Sequence, residues 1–132
     1  MSTRNMLAVL TALAIGSAPI GAIPATADPV PLPGTQAVSV RMIEAVKARS
    51  YQGFLTDADA QLKSQVDRTQ FEEICSRYAE PLLKGYRLVY MDHLRRRRTV
   101  VLLWKLTLGD SQDEALLRIV MRDGKVEDFS VL

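Results

Sequence analysis

Tyr86, Tyr90 and Asp92 recur at even spacing in one extended run, which points all three to the same face of a strand. A carboxylate beside phenols is the equipment of a proton-transfer isomerase or cyclase: a general base, with hydroxyl donors for the oxyanion that develops. These residues are the catalytic candidates if their face lines an enclosed apolar cavity. His93, the only histidine, falls on the face opposite Asp92 by the same alternation, so the two cannot form an acid–base pair in a regular strand. It reads as an exposed strand residue next to an arginine run.

One histidine and one cysteine provide no metal-ligand spacing, and no cofactor is implied. Cys75 shares a helical face with Phe71, Ile74 and Tyr78 and reads as a small buried hydrophobe. A nucleophilic thiol would need a nearby base or cation, and an intermolecular disulfide is the other alternative. Arg95, Arg96, Arg97 and Arg98 form four like charges at an expected turn. Such a run serves either as a solvated edge-blunting turn or as a weak contact for anionic lipid headgroups or another polyanion. No aromatic residues interleave with it, which argues against nucleic acid.

These side chains are positioned by a helical first half followed by strands. Thr35 can cap a helix over about residues 36–49, with Val38, Met42, Ile43, Ala45 and Val46 as its apolar stripe. Gly53 interrupts, and Leu55, Ala58, Leu62 and Val66 then recur at helical spacing. Thr69 with Glu72 fits a capping box for a third helix, which Pro81 should stop or kink near Glu80. Beyond Gly85 the period changes to two, giving strands at Tyr86–Leu94, Thr99–Leu108, Glu114–Met121 and Lys125–Val131. Asp123-Gly124 is a strong two-residue hairpin signal, and Arg95–Arg98 and Gly109–Asp113 close the other two turns. The expected class is α+β, with an antiparallel four-stranded meander.

Alternation makes Val100, Leu102, Trp104, Leu106, Leu108, Ala115, Leu117, Ile119 and Met121 the core side of the sheet. The other side mixes Val101, Leu103, Leu116 and Val120 with Lys105, Thr107 and Arg118. A fully solvated face would be more polar, so this one is expected to meet a partner, most simply a second copy of the chain.

The first 27 residues read as a leader: Arg4, an apolar run from Met6 to Ile23, and Ala25-Thr26-Ala27 as a small-x-small cleavage site after Ala27. Gly16, Pro19, Gly21 and Pro24 suit a cleaved Sec signal better than a spanning anchor, the alternative. Export would place the protein in the periplasm or outside the cell. Cleavage leaves about 105 residues, the size of one domain. Residues 28–35, with Pro29, Pro31 and Pro33, form an extended tether before a single domain over 36–132. The chain carries 17 Lys and Arg against 15 Asp and Glu, too even a balance to name a charged partner. A lone cysteine in an oxidising compartment rules out an internal disulfide framework, so packing must supply the stability.

The helical half, the Thr69-Gln70-Phe71-Glu72 segment, the Val100-Val101-Leu102-Leu103-Trp104 strand and the Asp123-Gly124-Lys125-Val126 hairpin together resemble the nuclear transport factor 2-like superfamily, and within it small secreted bacterial domains of uncharacterised function. The resemblance spans roughly residues 36–132. It implies a cystatin-like, cone-shaped bent sheet around helices, frequent dimerisation through the sheet, and an interior apolar pocket. Trp104, Tyr90 and Leu102 would line that pocket. Ketosteroid isomerases are similar in fold class, but no local motif carries their base onto Asp92. The superfamily includes enzymes and pure binding modules, so it implies no single activity. The expectation is an exported, non-catalytic binding or interaction domain that holds a small apolar ligand or dimerises through its sheet. The alternative is a small-molecule isomerase or cyclase with Asp92 as base.

Overall fold

Period-two alternation produces strands where it should: β1 Tyr86–Arg96, β2 Thr99–Leu108, β3 Glu114–Arg122 and β4 Lys125–Val131. They form one antiparallel sheet in the order β1-β2-β3-β4. The computed structural model describes residues 29–109 and 113–132, so the leader and the Ala27 cleavage site lie outside the described residues, as does most of the β2–β3 turn. Asp123 and Gly124 have φ of 50° and 80°, the left-handed pair that a tight β3–β4 hairpin requires.

The helices are α1 Thr35–Lys47, α2 Tyr51–Phe54, α3 Ala60–Gln65 and α4 Arg68–Leu83. Several of their boundaries differ from the sequence reading, and α1 ends at Lys47 instead of residue 49. Gly34, not Thr35, is the N-cap of α1, and the Thr35 hydroxyl instead donates to the Leu32 carbonyl at 2.7 Å. The second expected helix is two short ones. Ser50 caps α2 by accepting from the Gly53 amide at 3.0 Å, and a Cβ on Gly53 would come within 2.9 Å of that hydroxyl oxygen, so Gly53 belongs inside the turn. Asp59 caps α3 by accepting from the Leu62 amide at 2.9 Å.

The capping box of α4 is Asp67 with Gln70, two residues before the Thr69–Glu72 match. Two reciprocal bonds of 2.8 and 2.9 Å close it. Pro81 does not end this helix, which continues to Leu83. Proline so near the C-terminus removes one internal bond, while Ala79 and Leu82 on either side are fully buried and hold the last turn against the core.

The core lies between the helices and one face of the sheet. Leu102, Trp104, Leu106, Leu117, Ile119 and Met121 are buried there as alternation requires, against Met42, Ile43 and Val46 of α1 and Phe71, Cys75 and Leu82 of α4. Each large side chain fully removed from water contributes about 1.5–3 kcal/mol before entropy is counted. Tilted and edge-on rings link Tyr51, Phe71, Phe54 and Phe129 across the layers. No described helix is long and apolar enough to cross a membrane.

Both edge strands carry a bulge. The β1–β2 register slips between Tyr90 and Asp92, leaving Met91 without an opposite residue. The β3–β4 register slips between Val120 and Met121, which makes Glu127 the extra residue of β4. The first slip redistributes the catalytic candidates, and the second shapes the edge of β4.

Candidate functional site

The bulge at Met91 reverses the facing of every later residue in β1. Tyr86 and Tyr90 stay on the core side opposite Leu108 and Trp104, whereas Asp92 falls opposite Leu103 on the outer face. Its side chain is 74% exposed, accepts a 2.8 Å bond from the His93 backbone amide and lies 4.0 Å from His93 Nδ1. The three residues of the proposed base-and-phenol set therefore do not converge. His93, opposite Leu102, takes the inner position instead and is half-buried rather than exposed.

There the Tyr90 hydroxyl and His93 Nδ1 lie 2.6 Å apart. Burial pushes the Tyr90 phenol up, with a smaller push from the Asp92 charge. Tyr86 has a different partner: its hydroxyl donates to Glu44 Oε2 of α1 at 2.6 Å, and Lys47 lies 5.8 Å over its ring. Burial first, then this bond, raises the Tyr86 phenol to about 12, while the same bond holds the Glu44 carboxyl below its ordinary range. Tyr86 thus ties the start of β1 to the end of α1.

The apolar pocket implied by the resemblance would be lined by Trp104, Tyr90 and Leu102. Trp104 and Leu102 are fully buried in the core cluster, and the Tyr90 ring packs edge-on against Trp104 at 5.1 Å. Trp104 Nε1 is buried and has no hydrogen-bond partner among the described residues. Packing fills the interior position, so the clefts lie elsewhere.

Among the described residues, three surface clefts stand out, and none of these is lined by Tyr86, Tyr90, Asp92, Leu102 or Trp104. One of about 540 Å³ lies at the arginine turn between Arg96, Arg97, Arg98, Thr99 and Arg122. Arg98 is paired with Asp123 at 2.8 Å and Arg122 with Glu127 at 3.3 Å, whereas Arg95, Arg96 and Arg97 have no carboxylate partner among the described residues. Arg97 holds φ at 54°, a left-handed conformation that non-glycine residues seldom adopt. A second cleft, of about 410 Å³, lies where Leu32 and Pro33 of the tether meet Val38, Val100 and Met121.

The third cleft, of about 330 Å³, runs between α4 and β4. Its walls and floor are apolar: Val66, Ile74, Phe129, Val131 and the ring of Tyr78, with Gln65, Gln70, Glu73 and Arg77 at the rim. Helical spacing turns Gln70, Glu73, Ile74 and Arg77 toward it, and the core-side alternation of β4 supplies Phe129 and Val131. Glu73 and Arg77 stand four apart on α4 yet form no ion pair with each other, which leaves both charges at the rim. The sequence reading missed this cleft because it depends on α4 and β4 meeting in space. Ile74 and Tyr78 are half-buried on the helix face whose other members, Phe71 and Cys75, are fully covered, and nothing in their residue types marks that difference.

Cys75 lies under α1 with Sγ 3.7 Å from the Val46 carbonyl oxygen, and desolvation raises its pKa, as suits a packing thiol. Among the described residues no group of three His, Cys, Asp or Glu side chains could hold a metal ion.

No protein-family model and no curated protein matches the chain. A solved structure described as the crystal structure of TerC co-crystallized with polyporic acid aligns over 74% of this chain and 88% of that chain, with 15% identity and a TM-score of 0.40. That likeness is too low to carry a functional argument. The class defined by the chain's own elements is an α+β domain with helices packed on one face of a four-stranded antiparallel sheet.

Proposed function

We propose that this chain is an exported, non-catalytic binding domain whose site is the cleft between α4 and β4. The observation that carries the reading is the lining of that cleft: Val66, Ile74, Phe129 and Val131 with a carboxylate and a guanidinium, Glu73 and Arg77, that have no ion-pair partner among the described residues. An apolar floor with a few polar groups at its margin is the general form of a ligand site, and about 330 Å³ lies at the small end of that range. Export rests on the leader composition alone.

An apolar fluorescent probe, anilinonaphthalene sulfonate, tests the site. Ile74→Lys is expected to weaken probe binding at least about tenfold, because the lysine stem can occupy the cleft while its ammonium reaches water. Val101→Lys, on the outer sheet face, should leave it unchanged. Equal binding by all three proteins would contradict the assignment.

The outer face is proposed as the contact between two copies. Val89, Met91 and Leu94 are exposed there beside half-buried Val101, Leu103, Leu116 and Val120. Sedimentation as a monomer at about 50 µM would rule this out at ordinary working concentrations.

A further inference from the structure

The floor of the α4–β4 cleft is a strand edge with unused backbone groups. β4 is an edge strand of the sheet, and among the described residues its strand partner is β3. At the far end Leu132 exchanges both backbone bonds with Leu116, at 3.0 and 2.8 Å. Successive residues in an antiparallel pair alternate between facing the partner strand and facing away. Ser130 and Asp128 therefore face β3 with Leu132, and the N–H and C=O groups of Phe129 and Val131 face outward. The bulge at Glu127 resets the alternation, so Val126 also faces outward.

Val126 shows what that edge accepts. Its amide donates to the Asp57 carbonyl at 2.7 Å and its carbonyl accepts from the Asp59 amide at 2.8 Å, a parallel bridge centred on Ala58. The chain then turns into α3 and leaves the edge. Phe129 and Val131 receive no such bonds among the described residues. They sit two residues apart, about 6.8 Å along the strand, where their side chains help line the cleft.

These groups decide between occupants. A purely apolar ligand filling the cleft would cut two N–H and two C=O groups off from water without pairing them, and each buried orphan is costly. An extended polypeptide satisfies all four while presenting an apolar side chain to Val66, Ile74 and Tyr78.

We infer that the cleft binds an extended peptide segment of a partner protein, added as a fifth strand to the open edge of β4 at Phe129 and Val131. The partner segment is uncharged over about three residues and carries an aliphatic or β-branched side chain toward α4. This inference rests on the α4–β4 cleft being the binding site and names its ligand class.

Calorimetric titration of the full chain tests it, using capped hexapeptides in which threonine alternates with valine, isoleucine, leucine or phenylalanine. At least one should bind, and N-methylation of the backbone nitrogens on one edge of that peptide should weaken it about tenfold or more. Methylation of the opposite edge should not. Val131→Pro removes an outward N–H, which an edge strand tolerates, so this variant should keep its near-UV circular dichroism and lose the peptide. Equal affinity for the plain and both methylated forms would overturn strand addition. If no peptide binds while the apolar probe still binds in an Ile74-dependent way, the inference fails and the cleft reading stands. If neither binds, both fail.

Discussion

The two edges of the sheet are built differently. β1 runs for eleven residues, bears Arg87, Arg95 and Arg96, runs into the turn at Arg97, and is broken by the bulge at Met91. Charge and irregularity are the usual defences of an exposed edge against unintended pairing. β4 is seven residues long, and the chain's own segment 57–59 covers its edge at Val126. Past that bridge the edge is open, but it sits at the bottom of a cleft walled by Val66, Ile74 and Tyr78. One edge is interrupted by a bulge and flanked by arginines, and the other is narrowed by the cleft walls to the width of a single chain. Selective access is what separates a binding site from an aggregation hazard.

The comparison depends first on a solid layer beneath β1. Trp104 supplies it, packing under Tyr90 with 1% of its surface exposed. Trp104→Ala should cost about 3–5 kcal/mol, somewhat offset because the unpaired indole N–H is removed with the ring. Urea denaturation measures this, and a loss under about 1 kcal/mol would mean that the interior is open and the β1 face could hold a ligand after all.

A smaller effect is expected at the covered stretch of β4. Asp59→Ala removes the α3 cap and should cost about 1 kcal/mol. Because the cap anchors segment 57–59, amide exchange at Val126 should accelerate while that at Ser130 stays slow. Unchanged exchange at Val126 would show that the bridge does not need α3.

The smallest effect concerns the tie between β1 and α1. Tyr86→Phe should cost about 0.5 kcal/mol near neutral pH, because its bond to Glu44 lies at the surface. Since the folded phenol is raised to about 12, the wild-type advantage is complete below the unfolded value near 10 and is lost as pH rises from there through 12. Glu44 acts in the opposite sense: its lowered carboxyl makes the contribution present above about pH 4 and lost on acidification. The wild-type advantage over Tyr86→Phe should therefore shrink on acidification, and should fall and then change sign as pH rises from about 10 toward 12. A difference independent of pH would assign the loss to packing.

The strands were legible because period-two alternation survives wherever one face is buried, and β2 and β4 have the boundaries read from the sequence. The helix starts were less so, since Asp67-x-x-Gln70 and Thr69-x-x-Glu72 both offer a cap, and α4 takes the first. The bulge at Met91 left no mark in residue types: Tyr90-Met91-Asp92 reads as ordinary strand, yet one extra residue moved Asp92 out and brought His93 in. The α4–β4 cleft was hidden for a deeper reason. Its polar groups are backbone atoms of Phe129 and Val131, which every residue carries, and only the three-dimensional edge makes them distinctive.

Amide hydrogen exchange on the full chain, free and saturated with the tightest hexapeptide, tests the central claim most directly. In the free protein Phe129 and Val131 should exchange much faster than Asp128 and Ser130, which face β3. Saturation should slow Phe129 and Val131 by about tenfold or more and leave the amides of β1 unchanged. No added protection at Phe129 and Val131, or protection along β1 instead, would contradict the account.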